Sequence, residues 1–155
     1  MKKLLAGFLL VASTALSTNA MAIEMVDGSN PDQILSIARG FGSATMSSDK
    51  GGDPRINGRI DGTSYMILFY GCSNNKKCSE IQFNAYWSGK KVTLEALNKW
   101  NHEKKFGKAF LDDDKDPFLQ MTVNLDKGVS YGNLEDTFDY WTRVLSSFQK
   151  TVIKD

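Results

Sequence analysis

Tyr65-Met66-Ile67-Leu68-Phe69-Tyr70, then Cys72-Ser73-Asn74-Asn75-Lys76-Lys77-Cys78, then Ser79 to Trp87, is the stretch on which the fold turns. The first run is apolar at both odd and even positions, the pattern of a central strand buried on both faces. In the third, Ile81, Phe83, Ala85 and Trp87 alternate with Gln82, Asn84 and Tyr86, the period of a second strand. The polar run between them is rich in turn-forming residues, so the two strands read as a hairpin. A cystine across the hairpin mouth is the economical reading of Cys72 and Cys78. Closing so short a loop stabilises by roughly 2–2.5 kcal/mol on chain-entropy grounds. The alternatives are free or intermolecular thiols, or a redox dithiol. Redox pairs favour C-x-x-C at a helix N-terminus, which this spacing does not provide.

Upstream of the hairpin, Asp61-Gly62 is a two-residue turn signal joining it to the alternating strand Arg55–Ile60. Asp49 to Pro54 is a dense turn, and Met46–Asp49 suits a short first strand. Asn30-Pro31 opens a helix carrying Ile34, Leu35, Ile37, Ala38 and Phe41 at helical spacing, with Gly40 and Gly42 bracketing its end. Downstream, Ser88–Lys91 turns the chain into a helix from about Thr93 to Lys104, with Leu94, Leu97 and Trp100 on one side. Phe106–Leu111 reads as a strand, broken by Asp112 to Pro117. Leu119, Met121, Val123 and Leu125 then alternate with polar residues. After Lys127-Gly128 a last helix begins near Asn133. Its Leu134, Phe138, Trp141, Leu145, Phe148 and Val152 are spaced 4, 3, 4, 3, 4. Helix, strands, helix, strands, helix make an α+β domain: helices laid on a twisted, mainly antiparallel sheet.

Residues 1–22 carry the marks of a secretory signal peptide: Lys2-Lys3, the apolar stretch Leu4–Leu16, and a small-x-small site ending at Ala22. Cleavage is expected between Ala22 and Ile23, leaving residues 23–155 as one domain that is periplasmic or secreted. The apolar stretch is shorter than the ~20 residues a spanning helix needs, so no stable membrane insertion of the mature chain is expected. Without that segment the chain holds 17 basic against 18 acidic residues, net −1. Such a balance argues against a nucleic-acid partner and against a polybasic membrane anchor.

Residues that could carry chemistry are few. His102 is the one histidine. His102-Glu103-Lys104-Lys105-Phe106 fails as a zinc-protease motif, because Phe106 stands where the second histidine belongs. Asp112, Asp114 and Asp116 begin like a calcium loop, but Pro117 and Val123 occupy the positions that need glycine and glutamate. No metal, cofactor or catalytic residue is therefore expected, and the chain reads as non-enzymatic. A hydrolase of envelope material using His102 or the Asp112–Asp116 group is the weaker reading. The interaction candidates lie on the last two helices: Trp100 and Asn101, which read first as a core tryptophan with a polar neighbour and second as a ligand platform, then Phe138, Tyr140, Trp141, Leu145 and Phe148. The last helix's stripe serves either to pack on the sheet or as a seam for a homodimer or protein partner. Tyr86, Trp87 and Trp100 could instead form a stacking platform for glycan or a small molecule.

Several short motifs in order carry a resemblance. These are Gly52-Asp53-Pro54-Arg55-Ile56-Asn57-Gly58, Phe69-Tyr70-Gly71-Cys72, Cys78, Ile81-Gln82-Phe83, Asn98-Lys99-Trp100-Asn101, Phe106-Gly107-Lys108-Ala109, Leu111-Asp112 and Trp141. Together they resemble the YbjN-domain family in its exported, cysteine-bearing proteobacterial form, over about Asp27 to Val152. The resemblance implies a fold similar to type III secretion chaperones, often dimeric, and a protein-binding scaffold in sensory-transduction regulation. It implies no catalytic residue.

Overall fold

The structure, a computed structural model, describes residues 22–154. Residues 1–21, read above as most of the export signal, lie outside them. In chain order the elements are β1 (Met25–Val26), α1 (Pro31–Gly40), β2 (Ser43–Ser48), β3 (Pro54–Ile60), β4 (Thr63–Tyr70), β5 (Glu80–Tyr86), α2 (Leu94–Glu103), β6 (Lys108–Leu111), β7 (Pro117–Asn124), β8 (Val129–Ser130) and α3 (Tyr131–Phe148). A π-helical turn, Gln149–Ile153, follows α3.

Six strands form one antiparallel sheet in the order β2-β3-β4-β5-β7-β6, and β1 pairs with β8 beside it. After β5 the chain crosses through α2 to the far edge, and β7 returns between β5 and β6. The register sets Ile56, Ile67, Phe83 and Met121 in one row across the middle of the sheet. That row faces α3. Phe83 meets Phe138 and Trp141 with ring centroids 4.9 and 5.4 Å apart, and Phe41 stacks on Phe138 at 5.6 Å. The expected α+β architecture with helices on an antiparallel sheet is what forms.

Several expectations need correction. β4 is buried on one face only. Tyr65, Ile67 and Phe69 are in the core, whereas Met66 and Leu68 are half-buried and Tyr70 is exposed. Their neighbours on that second face are Asn84, Gln82, Gln120 and Thr122, which keep it polar. The strand read at Met46–Asp49 is β2, which starts three residues earlier at Ser43; the strand read from Phe106 starts at Lys108. α3 starts at Tyr131 because Ser130, not a residue near Asn133, accepts the capping bond, from Asn133 N. Asn30 makes no side-chain cap, although Pro31 does hold the first helical position. Leu94, placed on the buried side of α2, is exposed. Thr93 caps that helix, and Leu97 and Trp100 alone turn inward.

Cys72 and Cys78 are joined by a disulfide, with Cα atoms 3.8 Å apart. Inside the loop, Asn74 and Asn75 both take left-handed backbone (φ 52° and 60°), and Ser73 and Lys76 exchange backbone bonds, the geometry of a tight hairpin turn. Asn75 Nδ2 donates to Gly51 O at 3.0 Å, and Cys78 N donates to Gly28 O at 3.1 Å. The cystine thus fixes a tip to which the β2–β3 turn and the segment before α1 are both tied. Reduction should lower the unfolding free energy by about 2 kcal/mol. Urea titrations with and without reductant measure it, and coincident midpoints would show that the bridge adds nothing to stability.

Candidate functional site

The stripe on α3 is core. Phe138, Trp141 and Phe148 are fully buried and Leu145 nearly so. The 4-3 spacing makes one apolar face, and the sheet row centred on Phe83 covers it, so these four side chains are not available as a seam. Tyr140, on the flank, remains at the surface.

Trp100 and Asn101 do work of another kind. Trp100 is buried edge-on against Phe148 (5.0 Å), and its Nε1 donates to Gly107 O at 2.7 Å. Asn101 Nδ2 donates to Ala109 O at 2.9 Å, and Asn101 Oδ1 accepts from Ala109 N at 2.8 Å. One amide side chain therefore completes both outward backbone groups of an edge residue, as a neighbouring strand would. The motifs Asn98–Asn101 and Phe106–Ala109 are two halves of this clasp. Gly107 belongs to it for want of space: a Cβ there would lie 2.7 Å from Val144 Cγ1.

Beside the clasp, the end of α2, the loop after it and α3 enclose a cleft of about 220 Å³. Its apolar walls are Trp100, Phe106, Tyr140 and Val144, and its cations are Lys104, Lys105 and Arg143. Phe106 and Tyr140 are exposed, with ring centroids 4.8 Å apart. The Arg143 guanidinium lies 4.5 Å over the Tyr140 ring and is paired with Asp139 at 2.6 Å. Lys104 Nζ lies 5.5 Å from the Trp100 ring centroid. Such a cleft suits an apolar group with negative charge beside it. Phe106 and Arg143 escaped the sequence reading. Phe106 reads from its pattern as a strand residue, and the i,i+3 spacing of Tyr140 and Arg143 is the available signal.

The three aromatics read as one platform are divided between faces. Trp87 and Trp100 both pack on Phe148 inside the core layer. Tyr86 stands on the opposite, uncovered face, stacked on Phe118 at 5.8 Å, with Phe118 stacked on Phe110 at 5.2 Å. His102 is exposed on α2. The aspartates shape loops: Asp112 Oδ1 accepts from Asp114 N and Asp116 N, and Asp116 Oδ1 accepts from Gly89 N. Among the described residues no group of three or more His, Cys, Asp or Glu is placed to hold a metal ion.

This architecture is that of an α+β domain whose polar motifs brace the fold. The family model of YbjN, described as "Putative bacterial sensory transduction regulator", matches residues 30–154, from the foot of α1 through the final π-helical turn. The chain belongs to the YbjN family. That description names a regulator and not an enzyme. A search of the curated proteins found no match.

Proposed function

We propose that this protein is an exported, non-catalytic regulatory domain that acts by holding a protein partner, in a chaperone-like or sensory role in the cell envelope. Export is supported by the Lys2-Lys3, Leu4–Leu16 and Ala20–Ala22 pattern and by a cystine that persists only in an oxidising place. Among the described residues no helix is long and apolar enough to cross a membrane. The observation that carries the binding reading is the cleft, with Phe106 and Tyr140 exposed among Lys104, Lys105 and Arg143. It selects a partner that offers an apolar anchor flanked by acidic residues. A homodimer, if formed, uses a surface other than the α3 stripe.

A photo-crosslinking residue at Lys105 in intact cells should capture a protein. Tyr140→Ala combined with Arg143→Glu should lose the adduct while the melting curve stays within a few degrees. An adduct indifferent to both substitutions, or substrate turnover by the purified chain, would overturn the reading. The stacked rings Tyr86, Phe118 and Phe110 favour a second reading, an envelope glycan lying on the open sheet face. Saccharide binding that disappears in Tyr86→Ala but survives Tyr140→Ala would support it.

A further inference from the structure

The two edges of the large sheet are finished differently. In antiparallel pairs, alternate residues of an edge strand turn their N–H and C=O outward. Closure of the β6–β7 turn by Asp112 N to Asp116 O makes Ala109 and Leu111 outward on β6, and Asn101 satisfies both groups of Ala109. β6 has only four residues, and one of them is Lys108. At the other edge, Asp49 N bonds Asp53 O, so Ala44, Met46 and Ser48 are the outward residues of β2. Arg39 Nε donates to Ala44 O at 3.2 Å. Among the described residues nothing bonds the backbone of Met46 or Ser48. β2 is six residues of Ser-Ala-Thr-Met-Ser-Ser, with no charge and no proline. Natural sheets blunt an exposed edge by shortness, charge, proline or a cover. Here one edge is blunted in three of those ways, and the other, six uncharged residues covered by Arg39 at Ala44, is left open at Met46 and Ser48.

We propose that the β2 edge is a strand-addition site for an extended, acidic segment of another protein, which pairs with the backbone of Met46 and Ser48. The charge is read from the flanks. Arg39 sits on the edge itself, Arg55 lies opposite Ser47 with its Nε on Ser47 Oγ at 3.2 Å, and Arg59 lies opposite Ser43. Neither β2 nor β3 carries a carboxylate. Asp49 and Asp53 lie in the turn, where Asp49 Oδ1 is occupied by Gly51 N and Asp53 N. A second copy of this chain would bring the same arginines against themselves, whereas an acidic strand complements them. Backbone pairing supplies affinity in this mode, and alternate side chains supply choice. The edge lies at the opposite end of the sheet from the clasp and its cleft, so the inference stands independently of the cleft.

The test uses the protein as cells produce it, labelled for amide NMR, and short peptides alternating valine with glutamate, or valine with lysine. The glutamate peptide should shift the Met46 and Ser48 amides and protect them from exchange, and binding should weaken with salt. Met46→Pro, which removes an unpaired donor, should weaken it at least about tenfold. If that variant does not fold, Arg55→Glu serves in its place and should weaken the glutamate peptide alone. Unmoved Met46 and Ser48 amides would overturn the proposal. So would equal binding of the lysine peptide, or protection of these amides by rising protein concentration without peptide, which would assign the edge to a second copy.

Discussion

Phe148→Glu should yield no folded protein. Phe148 is fully buried between Trp87 and Trp100, with ring centroids 5.1 and 5.0 Å away. Removing a buried phenylalanine costs about 3–5 kcal/mol through lost transfer energy and an unfilled cavity. A carboxylate buried in that space between two indole rings adds several more. Together these match the whole stability of a domain of this size, roughly 5–15 kcal/mol. Phe148→Leu, which keeps the site apolar, should fold with a loss of about 1–2 kcal/mol. Tyr140→Ser, on the exposed flank of the same helix, should change stability by under about 1 kcal/mol. Near-ultraviolet circular dichroism and urea melts separate the three. A well-folded Phe148→Glu protein that had lost only self-association would return the stripe to the role of a seam.

That contrast shows what periodicity can and cannot say. The spacing 4, 3, 4, 3, 4 from Leu134 to Val152 identifies one apolar face of a helix, but a sheet and a second helix are equally good covers for it. Only the register that brings Phe83 beneath Phe138 and Trp141 decides between them. β4 misled for the mirror reason. Met66 and Leu68 are apolar, yet their cross-strand neighbours Asn84 and Gln82 in the next strand are polar, and only the register shows that the two sets share a face. The pair β1–β8 is two residues on each side, too short for any alternation to register.

The candidate surfaces were less legible than the fold. Trp100-Asn101 reads as a core tryptophan with a polar neighbour in preference to a ligand platform, and Trp100 is indeed in the core. Its partners, Gly107 O and Ala109, come from a loop and an edge strand whose placement no local pattern encodes. The cleft escaped for a related reason: Phe106 and Tyr140 are far apart along the chain and meet only because the clasp seats the α2–β6 loop against α3. The cystine was legible because its hairpin is local, with turn residues and flanking strands in one continuous stretch.

Gly58 and Tyr65 should behave as one unit whose two halves reverse each other. They are opposite residues on β3 and β4, and the Tyr65 ring lies where a side chain at 58 would be; a Cβ there would approach its Cζ, Cε1 and Oη within 2.3, 2.4 and 2.6 Å. Gly58→Ala should therefore cost about 1–3 kcal/mol by overpacking, although alanine is otherwise the better strand residue by roughly 0.5–1 kcal/mol. In a Tyr65→Ala background the clash is absent, so the same Gly58→Ala change should turn neutral or stabilising, and a double-mutant cycle reads that reversal as a coupling energy. The hydroxyl supplies an independent check. Tyr65 Oη is buried without a hydrogen-bond partner among the described residues, and burial pushes the phenol up to about 12 from 10.0. Below pH about 10 the group is protonated in both folded and unfolded chains and adds no pH dependence. Between about 10 and 12 only the unfolded chain ionises, so stability falls as pH rises, by about 1.4 kcal/mol per pH unit and roughly 2–3 kcal/mol in all. Tyr65→Phe removes both the unpaired hydroxyl and the titration. Its urea midpoint at neutral pH should match or exceed that of the parent protein, and its excess alkaline loss should vanish. Equal alkaline slopes in the two proteins would mean that water reaches Oη, and that the ring is not sealed against Gly58 as the register requires.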